Sequence, residues 1–98
     1  MFETAREVQV GLGDRLRGLR LSRGMDQLAT AAKAGISEKA LRNLEAGRGS
    51  TVETLLRVLK ALDAVDALDV LAPEPEVNPM AMLKLGRMPQ RARRKRQG

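Results

Sequence analysis

The sequence predicts an all-α fold, and three observations support this prediction. Residues 27–47 have the pattern of two short helices separated by a tight turn. Polar side chains that cap helix N-termini recur before apolar stretches, as in the pair Thr4 and Glu7. Leucine and valine recur every three or four residues, so each predicted helix has one apolar face. We expect a five-helix domain in residues 1–72, followed in residues 73–98 by a proline-containing linker, a short helix and a basic tail.

The first helix is predicted to begin after Thr4 and to end at Gly24. Its apolar stripe consists of Val8, Leu12, Leu16 and Leu19. Glycine is less favourable than alanine inside a helix by about 1 kcal/mol. Because Gly11 and Gly13 both fall in the first half, we expect the helix to be firm only over residues 12–23.

The second and third helices are bounded by local signals. Asp26 is predicted to cap the second helix, residues 27–34, and Ser37 to cap the third, residues 38–45. Gly35 ends the second helix because the left-handed backbone conformation needed at this position favours glycine. This spacing is typical of a helix-turn-helix motif, whose second helix enters the major groove of DNA.

The fourth helix is predicted to open on a capping box formed by Ser50 and Glu53. Its wide apolar face consists of Val52, Leu55, Leu56, Leu59 and Leu62. A fifth, acidic helix continues the spacing with Val65, Leu68 and Leu71. This last stripe either packs on the core or forms a dimer seam. Asn78 followed by Pro79 predicts a further short helix over residues 80–85.

The formal net charge of +6 is unevenly distributed along the chain. Residues 12–62 carry ten basic and five acidic side chains. Residues 63–76 carry five acidic and no basic side chains, whereas residues 77–98 carry seven basic and no acidic ones. This pattern suggests a face that binds a polyanion, a second face kept away from it, and a tail. The tail is either an arm that follows phosphates or a solubilising terminus.

Composition excludes several classes of function. The chain of 98 residues contains no cysteine and no histidine, which excludes disulfides and the usual zinc sites, and no cofactor is expected. No apolar run approaches the ~20 residues needed to span a membrane, and residues 1–13 lack the apolar core of a secretion signal, so a cytoplasmic location is expected. We see no nucleophile–base pair, carboxylate dyad or phosphate loop, so we predict that the protein is not an enzyme. A core this small makes a homodimer the expected state.

The segment from about Leu12 to Leu71 resembles the lambda-repressor-like, XRE-type helix-turn-helix family. The matching residues are Leu16-x-x-Leu19-Arg20, Gly24-Met25-Asp26-Gln27, Ala31-x-x-Ala34-Gly35-Ile36-Ser37, Leu41-x-x-Leu44-Glu45-x-Gly47 and Leu55-Leu56-x-x-Leu59-x-x-Leu62. The resemblance implies a five-helix domain that binds double-stranded DNA and represses transcription. The sequence departs from the family at Thr30, where a large apolar residue is usual, and Leu28 is a candidate to compensate.

In this family the exposed N-terminal part of the third helix reads bases, which implies that role for Ser37, Glu38, Lys39, Arg42 and Asn43. Lys39 and Arg42 can donate to guanine O6 and N7, and Asn43 can pair with adenine N6 and N7. Glu38 can accept from cytosine N4. The alternative interpretation is an ordinary solvated helix face, on which Ser37 serves only as a cap.

The resemblance also implies contacts outside the third helix. Gln27 should hold a phosphate and brace the third helix, the alternative being that it is only a neutral first residue of the second helix. Arg48 should reach the DNA backbone unless it merely solubilises its loop. An acidic residue at the position of Glu45 usually pairs with an arginine of the first helix, for which Arg20 is the candidate. Seven basic side chains are expected to be solvated more often than in contact with DNA: Arg15, Arg17, Arg20, Arg23, Lys33, Arg57 and Lys60.

A narrower resemblance lies in residues 55–81, which together with the basic tail are similar to HipB-type antitoxin regulators. In that group the repressor binds a HipA-like kinase toxin and represses the promoter that both genes share. The chain is therefore expected to be an autoregulatory repressor or, as an alternative, an antitoxin whose main role is to neutralise a kinase. RNA binding is disfavoured because Phe2 is the single aromatic residue, and single-strand binders need stacking platforms.

Overall fold

The computed structural model describes residues 4–86, which are all-helical and contain no β-strand. Its α-helices are α1 (Ala5–Ser22), α2 (Gln27–Ala34), α3 (Glu38–Glu45), α4 (Val52–Ala61), α5 (Leu68–Leu71) and α6 (Pro79–Leu85). A 3-10 turn at Val65–Ala67 precedes α5. The all-α prediction is confirmed, and the described residues form six α-helices: five that end by Leu71, and α6 where a short helix is predicted over residues 80–85. The predicted basic tail, residues 87–98, lies outside the described residues.

Helix α1 is continuous from Ala5 to Ser22, so the expected firm start at residue 12 is wrong. Its N-terminus is fixed by the predicted capping box, in which the Glu7 amide donates to Thr4 Oγ1 at 3.1 Å and the Thr4 amide donates to Glu7 Oε1 at 3.0 Å. Gly13 is buried, and a Cβ atom there would lie 2.5 Å from the Leu44 carbonyl oxygen. The glycine therefore permits close packing of α1 on the end of α3, which offsets its low helix propensity.

The helix-turn-helix geometry follows the local signals in the sequence. The Ala29 amide donates to Asp26 Oδ1 at 2.7 Å, and the Ala40 amide donates to Ser37 Oγ at 3.0 Å. Gly35 has a φ of 72°, in the left-handed region where the missing Cβ relieves strain. The predicted caps of α2 and α3 and the glycine stop between them are confirmed.

Helix α4 is capped one residue later than predicted. Thr51, instead of Ser50, accepts the Thr54 amide hydrogen at 3.0 Å. With Thr51 as N-cap, the third helical position is Thr54, so Glu53 stands too early to close a capping box. Glu53 instead accepts hydrogen bonds from Arg57 one turn later, at 2.8 and 3.0 Å.

The core lies among α1 to α4 and extends to the residues just after α4. Its buried apolar members are Leu16, Ala31, Ala34, Leu41, Leu44, Val58, Leu59, Ala61, Leu62 and Ala64. The predicted inward face of α4 needs correction, since Val52 is 71% and Leu56 39% exposed while Val58 is only 1% exposed. Leu55, Val58, Leu59 and Leu62 share one side of the helix at spacings of three and four, whereas Leu56 is turned toward the gap between α2 and α4.

Thr30 is fully buried in α2, and its hydroxyl oxygen has no hydrogen-bond partner among the described residues. Leu28 is 65% exposed and does not fill the space that a larger residue would occupy, so the expected compensation is wrong. Leu28 and Thr30 are two residues apart, a rotation of about 200° around the helix axis, so their side chains point to nearly opposite sides of α2 and cannot both face the core. The described core thus carries one unsatisfied polar group at the centre of the motif.

The chain after α4 has few inward-facing side chains. Of the predicted stripe, Leu68 packs against the core, whereas Val65 and Leu71 are 46% and 62% exposed. The predicted cap of α6 is confirmed, because Asn78 Oδ1 accepts the Met80 amide hydrogen at 3.0 Å. Among the described helices, none combines the length and apolar character that crossing a bilayer requires.

Candidate nucleic-acid interface

The position of α3 is fixed by a buried ion pair at its C-terminal end. Arg20 Nε and Nη2 donate to the two carboxylate oxygens of Glu45 at 2.6 and 3.0 Å, and Arg20 Nη1 donates to the Met25 carbonyl at 2.8 Å. The two charged side chains are only 6% and 4% exposed. The hydrogen bonds to Glu45 raise the pKa of Arg20 above its ordinary value, against the opposing effect of burial. The predicted pairing of these residues is therefore present and joins α3 to α1, whereas the expectation that Arg20 is solvated is wrong because the ion pair buries it.

Gln27 joins the same carboxylate from the start of α2. Its Nε2 donates to Glu45 Oε1 at 3.1 Å, which is the bracing contact expected of this residue. The side chain is half-buried, and one Nε2 hydrogen remains for a further acceptor. Asp26 Oδ1 accepts the Ala29 amide hydrogen at 2.7 Å, which satisfies one of the N-terminal amides of α2 that have no acceptor within the helix.

The opposite side of α3 carries the predicted base-reading residues. Leu41 and Leu44 face the core, while Ser37, Glu38, Lys39 and Arg42 are exposed and Asn43 is half-buried. Glu38 and Arg42 approach each other at 3.7 Å, with side chains that remain 43% and 50% exposed. An exposed pair of this kind contributes well under ~1 kcal/mol, so either side chain can turn to another partner at little cost.

Asn43 and Arg48 are joined by two hydrogen bonds. Arg48 Nη1 donates to Asn43 Oδ1 at 3.3 Å, and the Arg48 amide donates to the Asn43 carbonyl at 2.9 Å. Gln9 on α1 contacts the loop that follows α3, because its Nε2 donates to the Gly47 carbonyl at 2.8 Å. Adenine would need the Oδ1 atom of Asn43 as an acceptor for its N6 amino group. Because an amide oxygen has two lone pairs, Asn43 Oδ1 can accept from adenine N6 while it still accepts from Arg48.

A cleft of about 260 Å³ brings together side chains from α1, α2 and α3. Its lining residues are Arg17, Gln27, Arg42, Glu45, Ala46 and Arg48. Three of the predicted DNA contacts thus border one concavity, whereas Ser37, Glu38 and Lys39 lie at the other end of α3. Three arginines around a cleft of this size suit a phosphate group.

Arg17 is exposed, as expected for a solvated side chain, and it also borders the same cleft as Gln27 and Arg48 although it is not among the predicted DNA contacts. The signal available in the sequence was its position three residues before Arg20, which places both side chains on one face of α1. That spacing indicates that Arg17 lies near α3 only once Arg20 is known to pair with Glu45.

Comparison with known families agrees with this geometry. The family model described as Helix-turn-helix matches residues 16–70, more than half of the 98 residues, from within α1 to within α5. No curated protein matches the sequence.

Proposed function

The chain belongs to the helix-turn-helix family of DNA-binding transcription regulators, and we propose that it is a sequence-specific repressor acting as a dimer on an inverted-repeat operator. The observation that carries this proposal is the anchoring of α3. Its C-terminal end is tied to α1 and α2 by Arg20, Glu45 and Gln27, while its other face remains open to solvent. A helix held rigidly on one side and exposed on the other suits insertion into a major groove.

In this proposal the exposed face of α3 supplies the base contacts. Lys39 and Arg42 donate to guanine, Asn43 pairs with adenine, and Glu38 accepts from cytosine. Ser37 caps the helix through the Ala40 amide, which leaves its hydroxyl hydrogen available to a base or a phosphate. Because the ion pair between Glu38 and Arg42 is solvent-exposed, these two side chains can separate and contact bases at little cost.

Three of the residues around the cleft supply the phosphate contacts: Arg17, Gln27 and Arg48. Gln27 uses its remaining Nε2 hydrogen, and Arg48 uses guanidinium hydrogens that it does not donate to Asn43. Arg17 adds a third donor from α1. Contacts of this type fix the register of the helix on the duplex without reading sequence themselves.

The dimer in this proposal places the two recognition helices in successive major grooves, with half-site centres about 34 Å apart. Each chain has one helix-turn-helix motif and a small core, so pairing of two chains adds both affinity and stability. An operator within its own promoter would make the repressor autoregulatory.

Selection of bound sites from random duplex DNA is the experiment that tests this function. We expect enrichment of an inverted repeat whose half-sites are one helical turn apart. Recovery of no enriched sequence would show that the proposed sequence-specific function is wrong. Enrichment of one unpaired half-site would retain sequence-specific binding and reject the dimeric operator.

The alternative function is that of an antitoxin that neutralises a HipA-like kinase. Besides the sequence similarity in residues 55–81, this alternative is supported by apolar side chains on and before α6 that are more than half exposed. They are Val77, Met80, Leu83 and Leu85. A kinase-like gene adjacent to this one, whose product co-purifies with the chain and loses activity on binding, would favour this function. Failure of the two proteins to associate would reject it.

A further inference from the structure

A concavity of about 590 Å³ lies between α2 and α4, away from the proposed DNA contacts. Its floor contains Ala34 and Ala61 together with Leu56, which is 39% exposed. Its rim carries Lys33, Lys60 and Arg57. We refer to this concavity as the basic groove. None of the residues predicted to contact DNA borders it.

The charges of the basic groove are only partly neutralised. Arg57 donates to Glu53 at 2.8 and 3.0 Å, so this pair occupies one side of the rim. Lys33 and Lys60 form no ion pair with any residue from 4 to 86. An occupant that carries carboxylates beside apolar side chains would satisfy both the rim and the floor.

Such a segment follows α4 in the same chain. Residues 63–76, the acidic segment, contain five acidic residues and no basic one. Asp63, Asp66 and Asp69 are exposed and form no ion pair within the described part of the chain. Their neighbours Val65, Val70 and Leu71 are 46%, 86% and 62% exposed. The acidic segment therefore presents carboxylates and apolar side chains together.

We propose that the acidic segment of one copy occupies the basic groove of a second copy, and that the exchange is reciprocal. No residue of the segment lines the groove of its own chain. Groove and segment are nevertheless neighbours on the surface, because Lys60 and Ala61 border the groove and Asp63 begins the segment. A two-fold axis that passes between the groove and the segment places the groove of each copy against the segment of the other, as a symmetric dimer requires.

A protein occupant explains the groove better than a phosphate backbone does. The floor of Ala34, Leu56 and Ala61 would gain nothing from phosphate, whereas it would remove Val70 or Leu71 from water. The inference rests on the proposed function in that it supplies the interface of the dimer invoked there. The inference also gives the acidic segment a role. DNA would repel this segment, whereas a groove of the second copy would bind it and keep the two chains together.

The experiment is sedimentation equilibrium of the full chain without DNA, using charge reversals on each side of the contact. The groove variant is Lys33→Glu with Lys60→Glu, and the segment variant is Asp66→Lys with Asp69→Lys. A control variant, Arg6→Glu with Arg15→Glu, makes the same change of net charge as the groove variant at exposed positions of α1. Circular dichroism verifies that each variant retains its helices.

We expect each of the two variants to dimerise more weakly than the wild type by roughly tenfold or more, and the control to be unaffected. An equimolar mixture should recover tight dimers. In a mixed dimer the reversed groove meets the reversed segment, and the unchanged groove meets the unchanged segment. The wild-type dimer should also weaken as ionic strength rises.

Three results would overturn the inference: a monomeric wild type, unchanged dimerisation of either variant, or a mixture as weak as its components. An equal loss in the control would also overturn it, since net charge would then be the cause. If the groove variant lost duplex affinity while its dimer persisted, the groove would instead be a phosphate contact. Because the sedimentation measurements contain no DNA, failure of the interface leaves the site selection able to support or reject sequence-specific binding separately.

Discussion

At the scale of single residues, one carboxylate organises the candidate interface. Glu45 is buried at the end of α3 and accepts hydrogen bonds from Arg20 on α1 and Gln27 on α2. Since the same helix carries the predicted base-reading side chains on its other face, the orientation of those side chains depends on this buried contact.

Replacing Glu45 by glutamine should lower the free energy of unfolding by about 3 kcal/mol or more, because Arg20 would remain buried without its counter-charge. Urea denaturation measures the change. Glu53→Gln is the matched control, since the Glu53–Arg57 pair is exposed and its loss should cost less than about 1 kcal/mol. Equal losses in the two variants would contradict the role given to burial.

Thr30→Val should stabilise the protein by about 1 kcal/mol, since valine keeps the shape of threonine and removes a buried hydroxyl that lacks a partner. Thr30→Ser retains the hydroxyl and removes the methyl group, so it should destabilise by a similar amount. The midpoint of urea denaturation distinguishes the two. A less stable valine variant would indicate that the hydroxyl is satisfied in solution.

Lys39→Ala and Asn43→Ala should each cost ~1–3 kcal/mol on the selected operator and little on random DNA, because they remove base contacts. Arg17→Ala and Arg48→Ala should weaken binding to both DNAs alike, because they remove phosphate contacts. Fluorescence anisotropy titrations on the two duplexes measure the difference. Equal losses on both DNAs for Lys39→Ala and Asn43→Ala would contradict their assignment as base readers.

At the scale of helices, packing decides what local propensity leaves open. Gly13 and Gly18 are both interior residues of α1 and are equally unfavourable by helix propensity. Their surroundings differ, since a Cβ at Gly13 would meet backbone atoms of α3 and a Cβ at Gly18 would have no neighbour within 4 Å. One sequence feature therefore has opposite structural consequences at two positions of one helix.

Gly18→Ala should stabilise the protein by up to about 1 kcal/mol, because alanine is the better helix former at an open position. Gly13→Ala should destabilise it by about 1–3 kcal/mol, because the new methyl group would press α1 away from Leu44 and Glu45. Thermal denaturation of the two variants gives the comparison. Stabilisation by both substitutions would show that α1 moves freely over α3.

At the scale of the whole molecule, charge is divided between surfaces. Residues 12–62 carry an excess of basic side chains, the acidic segment follows α4, and residues 77–98 are basic again. This separation assigns the first region to DNA and the second to a protein contact in our proposals. The tail, residues 87–98, carries six basic and no acidic side chains and is a candidate arm for DNA.

Removing residues 87–98 should weaken DNA binding through electrostatics while leaving sequence preference nearly unchanged. The plot of log affinity against log salt should flatten by ~0.9 for every phosphate that the shortened protein no longer neutralises. Affinity measured at several salt concentrations, for full-length and shortened protein, gives the slopes. Equal slopes for the two proteins would reject the hypothesis that the tail is an arm for DNA. If the shortened protein also lost binding to the kinase, the antitoxin function would be favoured.

The sequence by itself determined the local boundaries of the fold. Asp26, Gly35 and Ser37 act on backbone groups within a few residues, so their roles as caps and helix stop could be predicted without knowing the tertiary structure. The pairing of Arg20 with Glu45 was accessible only through the family resemblance, because 25 residues separate the two side chains. The base-reading set likewise came from resemblance and stays a prediction.

Only the tertiary structure decided which side chains face a neighbour. Gly13 was expected to weaken α1, but it permits close packing against α3. The Thr30 hydroxyl is buried without a partner, and Arg17 borders a cleft that the sequence did not indicate. Periodicity gives the direction of a side chain around its own helix axis, but not what lies there. Burial, desolvation and shared clefts depend on the relative positions of distant helices, and those are fixed by packing of the whole chain.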